Sequence, residues 1–255
     1  MKPPAGARRR FSKPRVIPVL GLVAALCAAC LGSGCEQGRA PAYAIRRDDG
    51  RNPEAMAAAQ GALARLYPPR YRATQRAIIT VGRRQFVCDG VLAVSPQAGE
   101  HLAVVSTLGL VTEVQVATNG QTRLLRASPL LKETWSRDFV ARDLRELFAP
   151  CAEGEPGGWL ADGRLVLESR PRPDGSAARW VFTPSGQRLQ EIEVVRGQRR
   201  LYLARIRQYR QFAGFPRGIP AEFDVRAPAY RLELRTAALT VLSGDAPGMA
   251  GAAPP

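Results

Sequence analysis

Two spacings of apolar residues divide the chain. Met56, Ala59, Leu63, Leu66 and Tyr67 recur at helical intervals, whereas from Tyr71 onward apolar and polar positions largely alternate. Asn52-Pro53-Glu54 opens the first segment with an N-cap residue, a proline suited to a first turn and an acid near the positive end of the helix dipole, and Pro68-Pro69 stops it. Alternation then predicts strands over 77–81 and 86–94, with Gly82-Arg83-Arg84 as the break between them. The run His101 to Leu110 is apolar on both faces and is expected to be one central strand. Thr112 to Thr118 returns through the hairpin signal Asn119-Gly120 into Thr122–Leu125. A second helix follows, with Ser136 as cap, Asp138 in its first turn, Val140, Leu144, Leu147 and Phe148 on one stripe, and Pro150 at its end. Glu153 to Gly158 reads as loop, after which strands resume at 164–168, 179–183, 191–195, 200–206, 222–226 and 231–235.

About eleven strands and two helices leave too few helices to cover both faces of a long sheet. Successive alternating strands with short turns predict an antiparallel sheet with one solvated face. The expected fold is therefore mainly β (α+β): a single, strongly curved antiparallel sheet, an incomplete barrel, with the two helices across its mouth. The inner face and the helix stripes are expected to enclose an apolar space. This domain spans 52–242, and the Ser/Gly/Ala/Pro-rich stretch 243–255 reads as a disordered tail.

The N-terminus follows another pattern. Lys2, Arg8, Arg9, Arg10, Lys13 and Arg15, with no acid among them, precede an apolar run from Val16 to Leu31, and small residues then lead to Cys35. A basic n-region, a short h-region and a small-residue cut site describe a secretory signal peptide over 1–34. Its ending in Leu31-Gly32-Ser33-Gly34-Cys35 resembles the signal of bacterial lipoproteins, which implies covalent lipid (palmitate-type acyl chains) on Cys35. Cys30 is the rival lipidation site, and ordinary cleavage near 28–34 is the alternative. A spanning anchor is disfavoured, because a membrane helix needs about 20 apolar residues. The polar, aperiodic stretch 35–51 reads as a flexible tether.

Charge and cysteine content change once the leader is set aside. The leader holds six of the 37 Lys and Arg and none of the 22 Asp and Glu, so a net charge of +15 becomes about +9. A basic exterior suits anionic headgroups, and nucleic acid is no partner for an exported protein. Cys88 and Cys151 remain, either as a disulfide in an oxidising compartment or as two small buried hydrophobes. One histidine, His101, and no processed Cys-x-x-Cys argue against a metal site, and no cofactor beyond the anchor lipid is expected. His101 has no motif-linked nucleophile, and Gly154–Gly158 lacks the Lys-Ser/Thr of a phosphate loop. Asp138, Asp143 and Glu146, with arginines beside them, read as a solvated, salt-bridged helix face. No catalytic constellation emerges, so an enzyme is not expected.

The order of these elements, with the stretch Leu102–Gly109, the hairpin Val114–Leu125 and the ending Phe223-Asp224-Val225 … Tyr230–Leu234, resembles the LolA/LolB-like lipoprotein carriers and uncharacterised lipoprotein families near them. That resemblance implies a half-barrel that holds acyl chains or a lipid anchor, in a protein of the cell envelope; Glu36, not aspartate, after Cys35 resembles enterobacterial sorting to the outer membrane, facing the periplasm. Membrane lipid or lipoprotein acyl chains are the partners it implies. Phe212 and Phe215, around Ala213-Gly214, are the candidate membrane-contact loop. The alternative is a structural or assembly lipoprotein that binds other envelope proteins and uses no ligand cavity.

Overall fold

A computed structural model describes residues 41–47, 52–106, 109–119, 121–127, 140–148 and 155–242. The described residues form two helices, α1 (Pro53–Ala64) and α2 (Ala141–Phe148), and twelve strands. The strands are β1 (Tyr71–Val81), β2 (Arg84–Ser95), β3 (Gly99–Ser106), β4 (Gly109–Val116), β5 (Thr122–Ala127), β6 (Glu155–Trp159), β7 (Leu165–Glu168), β8 (Ser176–Phe182), β9 (Leu189–Arg196), β10 (Arg199–Phe212), β11 (Phe215–Ala227) and β12 (Tyr230–Val241). They make one sheet in the order β5-β4-β3-β2-β1-β12-β11-β10-β9-β8-β7-β6. Every neighbouring pair is antiparallel. Two meanders, β1–β5 and β6–β12, are thus joined where β1 pairs with β12, from Tyr71↔Val241 to Thr80↔Arg231. The sheet does not close; among the described residues β5 and β6 are its terminal strands.

The expected mainly β half-barrel is present, with one strand more than alternation indicated. The stretch read as loop before Trp159 forms β6, which pairs with β7 from Glu155↔Glu168 to Trp159↔Leu165. Its glycines are there for close approach. A Cβ on Gly158 (φ +126°) would stand 2.4 Å from the Arg46 carbonyl oxygen and 2.8 Å from Ile45 Cγ2. The run expected as one central strand, His101 to Leu110, is split between β3 and β4, paired as far as Ser106↔Gly109. Two successive apolar strands leave the same unbroken apolar signature as one buried strand, so periodicity could not separate them.

Alternation places Tyr71, Ala73, Leu92, Leu102, Val114, Leu165, Leu167, Trp180, Phe182, Ile192, Tyr202, Phe223 and Leu232 in one core cluster on the inner face. The helices complete it. Asn52 Oδ1 accepts from Ala55 N at 3.0 Å and caps α1, whose Ala55, Ala59 and Leu63 are buried. In α2, Ala141, Leu144, Leu147 and Phe148 are buried against the same cluster, while Ser136 and Asp138 lie outside the described residues. The outer face carries ion pairs of arginine and carboxylate, such as Arg235 with Glu222 at 3.2 Å and Arg231 with Asp224 at 3.1 Å between β11 and β12.

The tether reading covered 35–51; of that stretch, residues 41–47 are described and lie seated on the outer face. Pro41 bridges Arg199, and Arg46 exchanges backbone hydrogen bonds with Trp159 at 2.8 and 2.9 Å.

Candidate functional site

The inner face is where this sheet can meet an apolar ligand, and in this structure its own side chains occupy it. Trp180, Tyr71, Tyr202 and Phe182 are among the largest fully buried residues. Between them the rings of Tyr67 and Tyr71 stack at 5.7 Å, and Phe148 of α2 lies 5.8 Å from Tyr67 and 5.9 Å from Phe223. Among the described residues, α1, α2 and these aromatic rings stand in the apolar space expected from the sequence. A separate groove of about 400 Å³ lies on the opposite, outer face, lined mainly by charged residues including Arg76, Arg207, Asp224, Arg231 and Arg235.

What holds α2 in the hollow is polar as well as apolar. The Tyr230 hydroxyl of β12 donates to Asp143 at 2.5–2.6 Å and accepts from Arg142 Nη2 at 3.0 Å. Arg142 also lies 5.3 Å above the ring of Tyr202. Glu146, whose side chain is 3% exposed, pairs with Arg172 Nη2 at 2.7 Å, on the turn between β7 and β8. Asp143 and Glu146 are therefore not the solvated face expected. The apolar stripe of an eight-residue helix is wide enough that seating it drags both carboxyl groups into the interface. Burial pushes the Asp143 carboxyl up to about 7, against the opposing pull of Arg142 and of the Tyr230 hydroxyl. Burial raises Glu146 as well, with Arg172 opposing.

A third acid shares the inner face. Glu100 opens β3 between Val94 and Val116, and burial pushes it up to about 7 while Arg145 of α2 pulls the other way. Its Oε2, the Tyr67 and Tyr202 hydroxyls, Gln75 Nε2 and Trp180 Nε1 are buried without a hydrogen-bond partner. Unsatisfied groups of this kind each cost on the order of 1–3 kcal/mol. Glu100 and Gln75 break the alternation as inward polar residues, which was the sequence signal available for them. The orphaned tyrosine and tryptophan atoms had no such signal, since apolar rings and polar tips look alike in a periodicity.

The remaining sequence-derived residues lie elsewhere. Cys35 and Cys151 are outside the described residues. Cys88 is a buried free thiol on β2, pushed up to about 11 by burial and by the neighbouring Asp89. His101 Nε2 lies 2.9 Å from Glu113 Oε1 across β3 and β4, an ordinary cross-strand pair. Phe212 and Phe215 face each other across the β10–β11 turn and pack, half-buried, against the edge of the core. Among the described residues no group of three or more His, Cys, Asp or Glu is arranged to hold a metal ion, and no helix is long and apolar enough to cross a membrane.

No family model matches the chain, and no curated protein matches it. Solved structures do. A LolA superfamily protein from Nitrosomonas europaea is similar with a TM-score of 0.47 at 11% identity, over 74% of this chain and 94% of that one. A DUF1329 family protein from Desulfovibrio piger gives 0.46 at 10% identity, over 76% and 95%. An outer membrane lipoprotein-sorting protein domain from Vibrio parahaemolyticus gives 0.44 at 10% identity, over 74% and 92%. The solved structures it is similar to thus carry LolA-superfamily, DUF1329-family and lipoprotein-sorting descriptions.

Proposed function

We propose that this protein is a lipid-anchored carrier of the cell envelope, held through Cys35 at the outer membrane and facing the periplasm. It takes an acyl chain of a lipid or lipoprotein into the hollow of its open sheet by exchange with α2. The observation that carries the reading is the way α2 is seated: an apolar stripe on an apolar wall, with two carboxyl groups buried beside it. Burying acids is costly, so this plug is held less firmly than an all-apolar one of the same size. The exchange is balanced in magnitude. Returning two leucines and a phenylalanine to water costs roughly 5–9 kcal/mol, and a chain of about ten methylenes gains about 8 kcal/mol on burial. The partnerless polar atoms of Tyr67, Gln75, Glu100 and Tyr202 on the same wall give a ligand's ester or headgroup something to bond.

Native mass spectrometry of the full-length protein, extracted in mild detergent, tests this. A bound mass in the range of an acyl lipid is the expected result. Absence of both co-purified lipid and uptake of an added C16 fatty acid would sink it. One observation favours a second reading, an assembly lipoprotein that docks other envelope proteins: Val87, Val105 and Leu125 are exposed apolar residues on the half of the sheet that ends in the terminal strand β5. A stoichiometric protein partner captured by cross-linking, with no lipid bound, would decide for it.

A further inference from the structure

We propose that the end of the sheet bearing the 197–198 turn faces the anchoring bilayer, and that residues 41–47 lock this orientation; the proposal rests on lipidation of Cys35. The direction of the segment carries it. Ala42 N donates to Gln198 O at 3.0 Å and Pro41 bridges Arg199, whereas Arg46 pairs with Trp159 near the opposite end. The chain therefore comes onto the outer face at the end where β9 turns into β10, and crosses toward β6.

The segment is clamped along its length. The Tyr43 hydroxyl donates to Glu191, Tyr43 N donates to Glu193 Oε1 at 3.3 Å, and Arg179 reaches the Tyr43 carbonyl at 3.4 Å. The Tyr43 ring lies under the guanidinium groups of Arg200, at 4.5 Å, and Arg164, at 5.5 Å. Ile45 packs with Tyr43 on a second small apolar cluster of Leu160, Val166 and Val181. Glu193 beneath is fully buried and paired with Arg200 at 2.5 Å. A strap fixed this way transmits the position of whatever precedes it.

Chain length then sets the geometry. The six residue steps from Cys35 to Pro41 reach at most about 20 Å. Along β10, from Arg199 to Phe212, the sheet extends roughly 40 Å at about 3.3 Å per residue. The lipid thus holds the 197–198 turn close to the membrane, and the sheet's length carries the Phe212–Phe215 hairpin away from it. The chemistry of the near end fits an anionic leaflet. Its exposed charges include Arg83, Arg170, Arg196 and Arg226 against Glu155 and Asp174, and its turns Gly82-Arg83, Gly197-Gln198 and Pro228-Ala229 offer no large apolar group to insert. Glu155 pairs with Arg170 and Asp174 with Arg196, each at 2.9 Å, while Arg226 and Arg231 share the one carboxylate of Asp224, which with Arg83 leaves a positive excess near the surface. On this arrangement Phe212 and Phe215 present themselves to the periplasm, away from the membrane that holds the anchor.

The test uses the full-length lipidated protein in vesicles of phosphatidylethanolamine and phosphatidylglycerol. Cys151→Ser removes a competing cysteine, and a fluorophore is placed at Gln198→Cys or at Ala213→Cys. A lipid carrying a quencher on its headgroup should quench the label at 198 several-fold more than the label at 213, and Tyr43→Ala should abolish the contrast. Equal quenching with the strap intact, or stronger quenching at 213, overturns the orientation while the anchor stands. An N-terminal peptide without lipid by mass spectrometry, from protein that stays off the vesicles, overturns the anchor and this proposal with it.

Discussion

Asp143 is the residue at which the site's energetics concentrate. Its carboxyl titrates near 3.8 when free and near 7 in the folded protein, because burial outweighs the help of Arg142 and Tyr230. Between those values the folded protein holds a proton that the unfolded chain has lost. The contribution to stability is therefore full below about pH 4 and is lost as pH rises through about 7. The groups facing it are Arg142 and Glu146 on its own helix, Tyr230 on β12 and Tyr202 on β10, with Arg172 beyond Glu146. Glu100, raised from 4.5 to about 7, adds a dependence of the same sign. Urea unfolding should show lower stability at about pH 7.5 than at about pH 5, by a few kcal/mol at most. Asp143→Asn should flatten a large part of that slope. A slope unchanged in Asp143→Asn would show that this carboxyl titrates normally in the folded state.

At the scale of elements, β6 and the strap depend on one glycine. Gly158 and Gly163 both have positive φ, +126° and +83°, so alanine is strained at either. Only at Gly158 would the new Cβ also collide with Arg46 and Ile45; at Gly163 nothing lies within 4 Å. Gly163→Ala should cost about 1 kcal/mol, and Gly158→Ala about 3 kcal/mol, of the kind that strain and overpacking impose together. Limited proteolysis should then cut the 41–47 segment in Gly158→Ala and spare it in Gly163→Ala. Equal protection in the two would mean that the strap does not need β6.

The same elements mark where the sequence was legible. Alternation identified most of the strands and their faces because each is a local pattern of period two, whereas 101–110, apolar on both faces, was read as one strand; Asn52-Pro53-Glu54 marked α1 because capping chemistry is local. Gly157 and Gly158 looked like loop punctuation, since nothing nearby in the chain announces that Val166 comes to lie against the first and Arg46 against the second. The strap was invisible for the same reason: Tyr43 meets Glu191, 148 residues away, through contacts that no periodicity encodes. The carboxyl groups of α2 were misplaced because arginines beside them in sequence suggest solvated pairs, whereas Glu146 is paired with Arg172 from a turn of the sheet.

For the whole molecule, the balance is between two ways of covering one apolar wall. The open sheet presents an inner face that must be covered, and in this structure α1 and α2 cover it. An acyl chain could replace α2 at little net cost, because what α2 gains from its stripe it partly loses on its buried acids. In the proposed exchange the outer face, with its ion pairs of arginine and carboxylate and its strap, would take no part and would keep the sheet in one shape. Hydrogen exchange of the full-length protein, with and without a saturating C16 fatty acid, tests this exchange most directly. The account predicts faster exchange over Ala141–Phe148 when the fatty acid is bound, with β8 and β9 unchanged. Exchange over Ala141–Phe148 that stays the same or slows on binding would contradict it.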